Sequence, residues 1–130
     1  MAQAPTQSSR LHVLLEQRPL QRATILHLSG ELDVAVARDL RRVCRTLPSE
    51  ALPNVVIDLR RVTFMDCSVL GAFVLAHRRA VGVRGRVCIV ATPTSRSGPL
   101  RVLEVGGLDG VFCLHDTLRS ALAPLHQHAA

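Results

Sequence analysis

The sequence predicts a single α/β domain: a mostly parallel, mixed β-sheet of about five strands flanked by about four helices. Three observations carry that expectation. Strand-like and helix-like stretches follow the order β-β-α-β-α-β-α-β-α, and alternation after a first hairpin is the pattern of crossover-connected parallel strands. Asn54 to Leu59, N-V-V-I-D-L, is a nearly continuous apolar run, which suits a central strand covered on both faces. The chain has 130 residues, 48% of them hydrophobic, enough for one core and too few for two domains.

The elements follow in chain order. Residues 1–10 read as a loose tail, 11–123 as the domain and 124–130 as a second tail. Leu11 to Glu16 can form an edge strand, which Pro19 ends. Ala23 to Leu32 alternates Ile25, His27 and Ser29 against Leu26 and Leu28, as a strand does. Asp33 is a plausible N-cap for a helix whose apolar positions are Val36, Ala37, Leu40, Val43, Cys44 and Leu47. Arg38, Arg41, Arg42 and Arg45 fall on its other side, and Pro48 and Pro53 close the unit. After the central strand a helix is expected from about Cys67 to Val81, apolar nearly all round and so well buried. Gly82 is its expected left-handed terminator, with Arg78 and Arg79 in the last turn. R-V-C-I-V-A-T is a fourth strand, and P-T-S-R-S-G-P a loop. Leu100 to Val105 is a short helix, V-F-C-L-H a fifth strand, and T-L-R-S-A-L-A-P-L from Thr117 a last helix.

Composition narrows the function classes. No apolar run approaches the eighteen or so residues needed to cross a bilayer, and the N-terminus lacks a secretory pattern, so a soluble cytoplasmic protein is expected, without membrane partners. The net charge of +6 comes entirely from arginine. Trp and Tyr are absent and Phe is scarce, which removes the stacking platforms of a single-strand nucleic-acid binder. Cys44, Cys67, Cys88 and Cys113 are more than twenty residues apart, so neither a zinc finger nor a thioredoxin-type motif is expected. Acidic residues do not cluster with metal-ligand spacing, and neither a metal nor a cofactor is expected.

The chemistry concentrates at Asp66-Cys67-Ser68, between the central strand and the following helix. If the second and third strands are parallel neighbours, the loops after them share one edge, and ligands gather at such carboxyl edges. Asp33, Asp66 and Ser68 then lie together. Ser68 in a first helical turn has backbone N–H groups nearby that favour an added phosphate. The same residues also serve as an ordinary helix cap. Cys67 at a helix start permits nucleophilic catalysis, but it needs a base. His27 lies mid-strand, and His77 is about 15 Å down the same helix. The Arg face of the first helix admits a nucleic-acid reading or simple solvation.

Three segments resemble one family. G-E-L-D-V-A-V-A is similar to the first loop and helix of STAS domains, the group of bacterial anti-sigma factor antagonists in particular. V-V-I-D-L-R-R-V-T-F-M-D-C-S-V-L-G resembles the family's hallmark strand and switch segment, D-L-S-x-V-x-F-x-D-S-S-G-L-G. R-V-L-E-V-G-G-L-D-G-V-F resembles its late helix–turn–strand. The resemblance runs from about Leu11 to Leu122 and implies a STAS-like fold. It also implies a protein–protein switch without catalysis of its own. The partner would be an anti-sigma factor with a histidine-kinase-like ATP fold, which phosphorylates a serine; a serine phosphatase would reset it. The acceptor maps to Ser68, and the binding surface to Gly30, Glu31, Leu32, Asp33, Asp66, Cys67, Ser68 and Val69. Cys67 stands at the family's first serine and Val69 at its glycine, so an antagonist or scaffold without phosphorylation is the second expectation.

Overall fold

The computed structural model describes residues 11–92 and 98–126. Its strands are β1 (His12–Arg18), β2 (Ala23–Leu32), β3 (Asn54–Met65), β4 (Val87–Val90) and β5 (Cys113–His115). Its helices are α1 (Val34–Cys44), α2 (Leu70–Gly82), α3 (Pro99–Val105) and α4 (Leu118–His126). The five strands form one sheet in the order β1-β2-β3-β4-β5. β1 is antiparallel to β2, and every later pair is parallel. The mixed sheet with four helices is thus the architecture expected from the alternation.

Strand alternation sorts the core into two layers. Leu26, Leu28 and Leu32 of β2, Val55, Ile57 and Leu59 of β3, and Val87 and Ile89 of β4 face α1, α2 and α3. Val36, Leu40 and Cys44 of α1 meet them, as do Phe73, Ala76 and Ala80 of α2 and Leu103 of α3. The opposite face carries Ala23, Ile25, Val56, Cys88 and Val90, covered by Ala121, Leu122 and Leu125 of α4. β3 is buried on both faces from Asn54 to Leu59, as its apolar run requires.

β3 runs to Met65, as a strand reading up to the F-M-D-C-S seam requires, and its second half pairs with the end of β2. Several other boundaries differ from the sequence reading. α4 runs to His126, past the expected end of the domain at residue 123, since Leu125 is buried against the sheet. β5 is only three residues long, and Val111 and Phe112 precede it in a turn. α2 is less enclosed than its composition suggests: Val74 and Leu75 are half-buried and Val81 is exposed, for only one layer of sheet lies beneath it. Gly82 is still helical, and Arg84 (φ 63°) takes the left-handed position instead. The expected tail at 1–10 and most of the loop beginning at Pro93 lie outside the described residues.

A buried amide ties the amino ends of the central strands together. Asn54 donates through Nδ2 to the Gln21 carbonyl (3.1 Å) and accepts from the Arg86 amide at Oδ1 (3.1 Å). Asn54→Ala would leave both groups without this partner in a half-buried place, and an unmade bond of that kind costs about 1–3 kcal/mol. A chemical-denaturation curve is expected to show that loss with an unchanged slope.

β3 is two residues longer than the β2 stretch it pairs with, and the register slips twice to absorb them. The first slip lies between His27 and Ser29, where Leu59 and Arg60 together oppose Leu28; the second, between Gly30 and Glu31, skips Thr63. Such bulges re-aim side chains. Arg60 turns back on Asp58, its Nε and Nη2 donating to the two carboxylate oxygens at 2.9 Å. His27 joins Asp58 to Glu16 through its two ring nitrogens, at 2.8 Å each, and Arg18 pairs with Glu16 at 2.6 Å.

This chain of charges sets an acid limit. Burial pushes the Asp58 carboxyl up, but hydrogen bonds from Arg60 and His27 outweigh it and hold it below the usual carboxylate range. Hydrogen bonds from His27 and Arg18 lower Glu16 in the same sense. Carboxyls depressed on folding stabilise the fold above their unfolded pKa of about 4 and stop doing so as pH falls through the folded value. Stability is therefore expected to decline below about pH 4, and Asp58→Asn to flatten that decline in denaturation curves taken from pH 7 downwards.

Candidate functional site

The site is the carboxyl edge of β2 and β3. Leu32 and Met65 are register partners, and the Asp66 amide donates to the Leu32 carbonyl at 3.1 Å. Asp33 and Asp66, the next residues along each strand, therefore emerge side by side. Gly30 precedes them at φ +83°, beside the second bulge; only glycine adopts that conformation without strain.

Each aspartate starts a helical segment. Asp33 is extended and accepts the Ala35 amide on Oδ1 at 3.0 Å, capping α1 as expected. Asp66 is extended too and accepts the Ser68 amide at 2.8 Å. The same Oδ1 takes the Ser68 hydroxyl, so Oγ–H is oriented by the cap. The segment so capped is not yet α2. Cys67–Val69 forms a single 3-10 turn, and α2 begins at Leu70. This corrects the expected helix start at Cys67. It also means the Ser68 amide is already engaged by Asp66, and the Leu70 amide by the Cys67 carbonyl.

The side chains divide by burial. Cys67 and Glu31 are exposed, and Asp33, Asp66 and Ser68 are half-buried at the rim. Leu32 and Val69 are fully buried and hold the two loops from beneath. Leu32 and Val69 were expected at the docking surface; their side chains point inward and support the edge from beneath. Val69 has φ −87° and ψ −10°, ordinary right-handed helical values that do not need glycine.

Sequence reasoning missed two exposed apolar side chains at this edge. Phe64 is opposite Glu31 and 45% exposed; Val34 follows Asp33 and is 72% exposed. The signal was available in strand alternation: Met65 faces in, so Phe64 faces out. Arg41 was read as part of an outward Arg face, without a role at this edge. Its guanidinium lies over Gly71 in the first turn of α2, where an added Cβ would come within 2.7 Å of Nη2.

Neither candidate base serves Cys67. His27 is held by Glu16 and Asp58, and the His77 ring packs edge-on against Phe112 at 5.7 Å. Arg38, Arg41, Arg42 and Arg45 are exposed along α1, with Arg42 paired to Asp39 at 3.6 Å. Among the described residues no group of three or more metal-ligating side chains comes together, and no helix is long and apolar enough to cross a membrane.

The STAS-domain family model matches residues 15–121. The chain belongs to the STAS family. Solved STAS-type structures share the fold over nearly the whole chain. An anti-sigma factor antagonist from Mycobacterium paratuberculosis is 24% identical, with a TM-score of 0.76 covering 94% of this chain and 98% of that one. A putative anti-sigma factor antagonist from Thermotoga maritima is 20% identical, with a TM-score of 0.71 over 88% and 93%. The Bacillus cell-fate determinant SpoIIAA in its phosphorylated form is 24% identical, with a TM-score of 0.63 over 88% and 99%. Within the STAS frame, the D-C-S triplet of this chain occupies the turn between β3 and α2.

Proposed function

We propose that this STAS protein is an anti-sigma factor antagonist that works in the cytoplasm by regulated binding rather than by catalysis. Its docking edge comprises Gly30, Glu31, Asp33, Asp66, Cys67 and Ser68, widened by Val34 and Phe64. The partner is an anti-sigma factor with a histidine-kinase-like ATP fold, and binding it releases a sigma factor. ATP belongs to the partner, which transfers phosphate to Ser68; a serine phosphatase restores the free hydroxyl. The observation that carries the reading is the position of Ser68: a half-exposed hydroxyl, oriented by Asp66, on the same edge as Asp33. Phosphate there adds about −1.5 to −2 charges beside a carboxylate, which opposes docking without unfolding the sheet.

Val69 bears on the alternative without a phosphoswitch. Its extra bulk over glycine points into the core, so the approach to the Ser68 hydroxyl is not narrowed by it. To test the reading, the protein is mixed with candidate anti-sigma kinases and ATP, and its intact mass is followed. One phosphate is expected on the wild type and none on Ser68→Ala. A phosphate retained in Ser68→Ala places the acceptor elsewhere, and no phosphate from a tightly binding partner favours the unswitched antagonist.

A further inference from the structure

We propose that Cys88 and Cys113 form a dithiol modification site that closes into a disulfide between β4 and β5. They are direct register partners on neighbouring parallel strands. Partners of that kind point to the same face and lie about 4.8 Å apart at Cα, inside the window of about 4.4–6.8 Å that a disulfide spans. The surroundings of the two thiols are unequal. Cys113 is exposed on the edge strand, whereas Cys88 is buried beneath α4 in the cluster of Val56, Ala121, Leu122 and Leu125. Cys44 is buried in the opposite layer, and Cys67 lies at the far, carboxyl edge of the sheet, so neither competes for this pairing within the chain.

The asymmetry fixes the order of steps. Burial, reinforced by Cys113, pushes the Cys88 thiol up to about 12, so it is not the first nucleophile. Cys113 meets the oxidant, a low-molecular-weight disulfide such as oxidised glutathione. Its thiolate attacks one oxidant sulfur, the oxidant S–S bond breaks, and one thiol departs carrying the proton. Cys88 then loses its proton and attacks the Cys113 sulfur. The mixed disulfide breaks, a second thiol departs, and the Cys88–Cys113 bond forms. Two cysteine thiols lose two electrons and two protons, and the oxidant gains them.

The pair sits at the amino end of the parallel strands, and Ser68 at the other, so closure leaves the proposed docking edge in place. The test does not depend on any partner. The full chain is incubated with oxidised glutathione, free thiols are alkylated after denaturation, and tryptic peptides are mapped without reduction. The expected product is Val87–Arg96 linked to Val102–Arg119, with alkylation of Cys88 falling at least about tenfold. In Cys113→Ser that fall is expected to vanish. In Cys88→Ala, Cys113 is expected to stop at the mixed disulfide, and circular dichroism of both variants checks their folding. Cys113 retained as a stable glutathione adduct in the wild type, with Cys88 still alkylated, overturns the proposal. A principal linkage from Cys113 to Cys67 of a second copy overturns it too.

Discussion

Placing aspartate at position 68 is expected to weaken binding to the proposed anti-sigma factor partner by about a hundredfold. In the wild type the Ser68 hydroxyl donates to Asp66. A carboxylate at 68 cannot donate, and it sets two like charges against each other at a rim that a partner must desolvate. Leaving a charge unpaired in an interface costs about 2–5 kcal/mol, and 2.7 kcal/mol is about a factor of a hundred. Ser68→Ala removes the hydroxyl without adding charge, so its affinity is expected to stay within several-fold of wild type. Isothermal titration calorimetry on the three proteins reads the difference, with thermal melts showing that all are folded. Wild-type affinity in Ser68→Asp would sink the phosphoswitch reading while leaving antagonism itself intact.

Gly85→Ala is expected to be strongly destabilising. An added Cβ at 85 would lie 1.9 Å from the Pro53 carbonyl oxygen and 2.4 Å from its carbon. Both are backbone atoms, so no side-chain rotation relieves the clash. The collision falls where β3 begins and where the Val55 amide donates to the Arg86 carbonyl at 2.9 Å. Overpacking of this kind costs about 3 kcal/mol or more, a large part of a typical domain stability of about 5–15 kcal/mol. A drop in Tm of about 10 °C is expected by circular dichroism. Gly82→Ala is the matched control: nothing lies within 4 Å of its added Cβ, and it sits in a helix, so a neutral or slightly stabilising effect is expected. Equal melting of the two variants would refute the close-approach argument.

Much of this was legible in the residues. Periodicity placed α1 because Val36, Leu40 and Cys44 bury one stripe, and Asp33 supplied a cap that the structure uses. The apolar run at Asn54–Leu59 identified the central strand because both faces are covered. What the residues did not reveal depends on pairing. V-V-I-D-L-R-R-V-T reads as one strand from its residues, but the two slips in its second half come from β2 alongside it. The 3-10 turn at Cys67–Val69 follows from Asp66 accepting two donors from Ser68, a choice between capping geometries that spacing does not distinguish. At the site, chain order brought Asp33 and Ser68 to one edge. Which neighbours face out was legible in part: alternation sets Phe64 opposite in sense to Met65, while its place beside Glu31 comes from the register after the second bulge.

The two slips in β3 make its length a tuned quantity. From His27 to Leu32 is five steps along β2, while the matching walk from Asp58 to Met65 takes seven. Those surplus steps keep the phase of the strand even, so Met65 returns to the interior and Phe64 to the rim. Thr63 is the residue that the second slip leaves unpaired, so excising it would remove that slip and keep Phe64 opposite Glu31 and Met65 opposite Leu32. The turn at Cys67–Val69 is thus placed like a vernier, by a mismatch between two scales rather than by any single contact.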